Sequence, residues 1–286
     1  MVWCQFPQRL LLSLLLILVP SSLEAASALD ARTLSLWQRQ GMPHLLLDAR
    51  PHQAYLQGHR KGAISFDVEE TYRQEQGVWL AKSITAMTGE IRQRGLTLGQ
   101  TIVVYDDGML MDAARLAWVL ELYGLTQVHI LIDDLDKAEL SIGVVTPTAS
   151  SYVPALNPDV LINARMTLLA GHNPSFGIVD IRGEAHFLGK ASETRKFGHI
   201  PGAINIPMDK FFYLDEKQQQ HLRSWGELMA LFQELDPSKR YITYCYKGKA
   251  STLGYFLMQQ AGLQVTHYDG SWLDWSQRDL PVERPE

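Results

Sequence analysis

The stretch "YITYCYKGKASTLGYFLMQQAG", Tyr241 to Gly262, runs from a short apolar, β-branched segment to a cysteine, then through small, polar and basic residues into an amphipathic segment. That order reads as a strand, a tight loop and a helix. Cys245 sits at the junction with Lys247 and Lys249 beside it. Cores seldom surround a thiol with two ammonium groups, so Cys245 reads as a nucleophile rather than an inert buried side chain.

Working outward, the same pattern occurs earlier in the chain. "TIVVYDDGMLMDAARLAWVLELYG" parallels the Cys245 stretch and places Asp106 where the later copy has its cysteine. Upstream, "LLLDARPHQAYLQGHRKGAISFD" (Leu45 to Asp67) parallels "GIVDIRGEAHFLGKASETRKFGHIPGAINIP" (Gly177 to Pro207), so that Asp48 matches Asp180 and Gly62 matches Gly202. Self-similarity over this length indicates two copies of one domain. Each copy alternates short β-branched runs with helical periods, for example the amphipathic "DAARLAWVLELYG" closed by a glycine cap. The fold class is therefore α/β, with a mostly parallel sheet flanked by helices in each copy. The segment 143–158, "GVVTPTASSYVPALNP", is rich in Pro, Ser and Thr and reads as the linker. The predicted boundaries are a leader at 1–28, a first domain at 29–142, the linker, and a second domain at 159–286.

The leader "MVWCQFPQRLLLSLLLILVPSSLEAASALD" has a positive charge at Arg9, a ten-residue apolar run from Leu10 to Val19, and small residues suited to cleavage near Ala25 or Ala28. This is a secretory signal pattern, and it predicts export, most simply to a bacterial periplasm. The run is too short to span a bilayer as a helix. Cys4 precedes it and would leave with the leader, so the mature chain keeps Cys245 alone and cannot form an internal disulfide. The net charge of −5 over 286 residues, with no basic block, argues against a nucleic-acid partner and for small solutes. The nine histidines show no metal-ligand spacing, and no cofactor is implied.

With these residues in view, the chain resembles a tandem rhodanese-type sulfurtransferase, of the family that uses thiosulfate or 3-mercaptopyruvate. The resemblance rests on "VDIRGEAHFLG" followed by "GHIPGAINIP", the loop "CYKGKA", and "YDGSWLDW" (Tyr268 to Trp275), in that order. The first copy resembles the family's inactive domain, and its counterpart of the last motif, "LIDDLDKAEL", has degenerated. The resemblance implies that Cys245 takes a sulfur atom from a small anionic donor as a persulfide and passes it to a thiophilic acceptor such as cyanide or a thiol, with a protein thiol as a further acceptor and a monomer as the working unit. No histidine base is needed once the thiolate is formed. The loop residues Tyr246, Lys247, Gly248, Lys249 and Ala250 are the expected donor-binding set. Their backbone N–H groups and the helix start would form an anion-binding nest, Gly248 permitting the tight curl.

Two departures from the family stand out. Thiosulfate-using members carry arginine directly after the cysteine, where this chain has Tyr246, followed by lysine, here Lys247; mercaptopyruvate-using members carry a small uncharged loop. Two lysines thus favour a sulfonate-like donor, with 3-mercaptopyruvate the alternative. Thiosulfate-using members also carry an arginine four places beyond Arg182, where this chain has His186, leaving Arg195 or Lys196 to compensate. Arg182 and His186 complete the candidate donor-binding residues. Arg182 also reads as the partner of a carboxylate such as Glu184 or Asp269, and Trp272 and Trp275 read as core or pocket wall. Two other classes share features with this pattern: a persulfide carrier serving one protein partner, and a phosphatase, which would need arginine six places after the cysteine, where Ser251 stands.

Overall fold

The computed structural model describes residues 26–133, 135 and 140–284. The expected leader lies outside the described residues up to position 25, as does Cys4, and so do residues 134 and 136–139 of "LIDDLDKAEL". The first domain's sheet includes residues ahead of the boundary at residue 29. Ser27–Leu29 is already an edge strand paired in parallel with Val128–Leu131, and the Gln260 side chain bonds both Ala26 O and Ala28 N.

The first domain is a five-stranded parallel sheet in the order Ser27–Leu29, Val128–Leu131, Ile102–Tyr105, Leu45–Asp48, Ile64–Ser65. The second repeats its inner part as Ala203–Asn205, Phe176–Asp180, Arg240–Tyr244, Gln264–His267. The duplication reaches the margins. The edge strand of the first sheet has its counterpart in a parallel bridge between Leu161 and His267. The antiparallel pair His59–Arg60 with Leu140–Ser141 likewise recurs as a bridge between His199 and Glu283. Central strands such as Ile102–Tyr105 are buried along their whole length, as strands covered on both faces must be.

One helix of each copy starts at the sheet's carboxyl edge and packs on its twin. Met111–Leu122 of the first domain lies against Ala250–Gln260 of the second. The sequence suggested amphipathic helices here, yet residues 113–122 are all buried, as are 251–258. Each helix has a sheet on one side and the other domain on the other, so no face is left for solvent. The predicted glycine cap is Gly124, with φ +89°. A Cβ there would come within 2.1 Å of Ala155 O, because the linker crosses this helix end. Residues 142–157 carry neither helix nor strand, but the strap is anchored: Asn157 N–H donates to Leu122 O (2.9 Å) and Arg92 Nε to Tyr152 O (2.8 Å).

Glu121 lies inside the helix pair, where the Tyr255 hydroxyl donates to its carboxylate oxygens at 3.1 Å. Burial outweighs that hydrogen bond and pushes the carboxyl up to about 7. A raised acid favours the protonated folded state, so its contribution is free of penalty below the unfolded value and stability is lost as pH rises from there towards 7. Glu121→Gln is expected to abolish that slope and to be the more stable protein at about pH 8 by roughly 3 kcal/mol relative to its offset at about pH 4. Urea unfolding of both proteins at the two pH values checks this; parallel curves would contradict it.

Candidate active site

Arg240–Tyr244 ends at the carboxyl edge of the sheet, the chain turns at Cys245, and the helix begins at Ala250. The loop between is held from beneath by the YDGSW segment. Trp272 N–H donates to Cys245 O (2.9 Å), Leu273 N–H to Tyr246 O (3.1 Å), and Cys245 N–H to Ser271 Oγ (3.2 Å). Gly248 curls back with φ +80°, so that its N–H donates to Cys245 Sγ at 3.2 Å. A Cβ on Gly248 would lie 2.4 Å from Asp269 O. The curl and the close approach both require glycine.

The first domain takes part directly. Arg115, fully buried, pairs through Nη1 with Asp269 Oδ1 (2.5 Å) and also reaches Gly248 O (3.3 Å). Its guanidinium lies over the Tyr72 and Trp118 rings, 4.3 and 4.7 Å from their centroids. The other oxygen of Asp269 accepts from Ala81 N–H (2.6 Å), at the end of the first domain's antiparallel hairpin Tyr72–Glu75 with Val78–Ala81.

Above the sulfur opens a cavity of about 530 Å3. The structure brings Cys245, Tyr246, Lys247, Lys249, Ala250, Arg182 and His186 to its lining, whereas Gly248 is not in the lining and bonds the sulfur through its N–H. The two lysines differ. Lys249 pairs with Asp112 of the first domain, whereas Lys247 is exposed, has no ion pair among the described residues and lies near the rings of Trp79 and Tyr246. Tyr246 is held protonated by its burial and by the nearby Glu193 carboxylate.

Arg182 reaches the cavity but is committed elsewhere. It donates from Nε and Nη2 to Asp180 (3.0 and 2.6 Å) and from Nη2 to Gly198 O (2.8 Å), while Tyr244 Oη donates to the same carboxylate (2.6 Å). Its partner is therefore Asp180, not Glu184 or Asp269, the last being taken by Arg115. The identical clamp occurs in the first domain, where Arg50 bonds Asp48 and Gly58 O and Tyr105 bonds Asp48. A clamp kept in the copy that has no cysteine is a fold element. Compensation for His186 by Arg195 or Lys196 is not seen: neither lines the cavity, and Lys196 Nζ donates to Arg278 O and Leu280 O. Trp272 and Trp275 are core residues, Trp272 lying under the Arg182 guanidinium.

Several lining residues were missed by the sequence reading: Met111, Ile181, Met208, Glu193 and Asp209. Met111 was within reach of it, because it opens the first domain's helix as Ala250 opens the second's. Meanwhile the first domain's own nest is occupied from within. The Asp106 carboxylate accepts N–H bonds from Gly108, Leu110, Asp112 and Ala113 at 2.9 to 3.2 Å, and burial pushes it up to about 6 despite them.

Residues 31–139 and 166–278 both match the rhodanese-like domain. The chain belongs to the rhodanese family. The 3-mercaptopyruvate sulfurtransferase of Escherichia coli K12 is 32% identical over 252 residues, covering 82% of this chain and 87% of that protein. A putative thiosulfate sulfurtransferase of Mycobacterium tuberculosis is 29% identical over 257 residues, covering 82% and 89%. Among solved structures, that of SseA from E. coli, described as showing the rhodanese fold and mechanism of 3-mercaptopyruvate sulfotransferases, superposes with a TM-score of 0.71 at 26% identity, over 87% of this chain and 99% of that one. The two tandem domains and the sulfurtransferase class read from the sequence are thus those of this family.

The clamp generates a prediction. Arg182→Met and Arg50→Met should each cost about 3–5 kcal/mol of unfolding free energy, since each strands a buried carboxylate. Chemical denaturation measures this. A purely substrate-binding Arg182 would instead show raised KM with stability unchanged.

Proposed function

We propose that this sulfurtransferase moves a sulfane sulfur from a small anionic donor such as thiosulfate, through a persulfide on Cys245, to a thiophilic acceptor such as cyanide or a thiol. The observation that carries this reading is the single cysteine of the described chain, its sulfur at the base of the cavity and held by the Gly248 N–H. The Cys245 thiolate attacks the outer sulfur of thiosulfate; the new S–S bond forms as the donor's S–S bond breaks, and sulfite leaves with the electron pair. The acceptor then attacks the outer sulfur of the persulfide, and Cys245 is released as thiolate. Lys247 supplies the free positive charge at the mouth, and the loop N–H groups favour negative sulfur at both stages.

A second reading has its own support. With Lys249 neutralised by Asp112, Arg182 clamped by Asp180, and Met111, Ile181 and Met208 in the wall, the cavity also suits a larger, less charged donor such as 3-mercaptopyruvate. The relation to the E. coli enzyme of that name adds to it. The leader pattern supports export to a periplasm with cleavage near Ala25, just ahead of the first strand. A site complete within one chain supports a monomer, and a protein thiol remains a candidate acceptor.

Intact mass of the mature protein should rise by one sulfur atom after thiosulfate or 3-mercaptopyruvate, and the gain should vanish in Cys245→Ser together with all sulfur transfer. No gain with either donor would refute the proposal. Lys247→Ala is expected to raise KM for thiosulfate by about tenfold and Lys249→Ala by much less, since Asp112 already screens the second ammonium. Steady-state kinetics with both donors rank them: the higher kcat/KM identifies the class of donor the cavity serves.

A further inference from the structure

Ser251, the second residue of the catalytic helix, is completely buried, and its Oγ lies 3.2 Å from Cys245 Sγ. The same Oγ is 2.8 Å from Nε2 of His267, the last residue of the neighbouring strand, also completely buried. Nδ1 of that imidazole has no hydrogen-bond partner among the described residues, and the Trp118 ring meets it edge-on at 4.7 Å between centroids. Neither residue lines the cavity.

The hydrogen inventory decides which way the chain of bonds runs. A neutral imidazole carries one N–H. Placed on Nδ1, that proton would be a buried donor without an acceptor, and Nε2 would draw the Ser251 proton away from the sulfur. Placed on Nε2, it is satisfied by Ser251 Oγ, and the hydroxyl proton is left to point at Sγ, leaving only a bare lone pair on Nδ1. Protonation of both nitrogens is opposed by burial and by the Arg115 guanidinium nearby, which hold the imidazole well below its usual value.

We propose that Ser251 is a further catalytic residue of this rhodanese, donating a hydrogen bond to the Cys245 sulfur, and that His267 is a positioning residue that fixes the direction of that bond through Nε2–H. The proposal rests on the reading of Cys245 as the nucleophile. The bond favours thiolate over thiol before attack, and it stabilises the same thiolate when it leaves the persulfide in the second half of the cycle. It complements the Gly248 N–H, which reaches the sulfur from the loop. A hydroxyl aimed by a rigid, neutral ring keeps its orientation across the working pH range.

Other charged groups act on the same sulfur and are left in place by the test. Lys247 and Lys249 come from the loop, and Arg182, His186, Glu193 and Asp209 surround the cavity. Arg115 and Tyr72 face it from the first domain, Arg115 being held by Asp269.

The readout is the rate of Cys245 alkylation by iodoacetamide in the full chain at about pH 6.5, divided by that at about pH 9.5, which reports thiolate formation without requiring sulfur transfer. Ser251→Ala is expected to lower the ratio by about tenfold. His267→Leu should reproduce most of that loss, and His267→Gln, whose amide N–H can stand in for Nε2–H, should restore it to near the parent value. In the Ser251→Ala background, His267→Leu should add nothing, since its effect passes through the hydroxyl. An unchanged ratio in Ser251→Ala, equal effects of Gln and Leu at 267, or a full additional loss in the double variant would each overturn the proposal. Failure of the parent protein to gain sulfur despite normal alkylation would instead strike the functional reading alone.

Discussion

The buried ion pair between Arg115 and Asp269 is the constraint on which the site depends. It joins the middle of one domain's helix to the YDGSW segment of the other, and the same guanidinium reaches a carbonyl of the cysteine loop. A fully buried guanidinium is tolerable only when its charge is matched and its faces are occupied, and here the carboxylate and the Tyr72 and Trp118 rings do both. Because Asp269 also accepts from Ala81 and closes over Gly248, displacing it would disturb the curl that aims the Gly248 N–H at the sulfur. The domain interface and the catalytic loop are in this sense one structure.

The two loops show what one backbone does with two different side chains. In the first domain the carboxylate of Asp106 folds into its own nest and takes up four N–H groups, leaving nothing for a ligand. In the second, the sulfur at the same register accepts from Gly248 and stays open to the cavity. The first copy thus differs by more than the residue at this register: the N–H groups of its loop are taken up by its own side chain.

Much of this was legible in the sequence, because repeats and a strand-loop-helix transition depend on local pattern. Cys245, the glycine curl and the alignment of Asp106 with Cys245 are of this kind. What escaped was set by the meeting of the two copies. The pairing of Lys249 with Asp112 joins residues far apart in the chain, so the two lysines looked equivalent until the domains were brought together. The burial of both helices on every face has the same origin. The carboxylate partner of Arg182 is Asp180, two residues away at the strand end, rather than Glu184 or Asp269, because the turn after the strand folds the guanidinium back onto it. Ser251 and His267 meet only through the parallel pairing of neighbouring strands and so carried no local signal.

Met111 and Asp112 carry a wider consequence. Both belong to the copy that carries Asp106 in place of the cysteine, yet one forms part of the cavity wall and the other pairs with a loop lysine of the copy that carries Cys245. Duplication has separated the group that makes and breaks bonds from part of the surface that chooses what enters. Changes at the start of the first domain's helix can then redraw the donor preference while the sulfur, its loop and its supporting strand stay as they are. The half without the cysteine is where selectivity is free to drift.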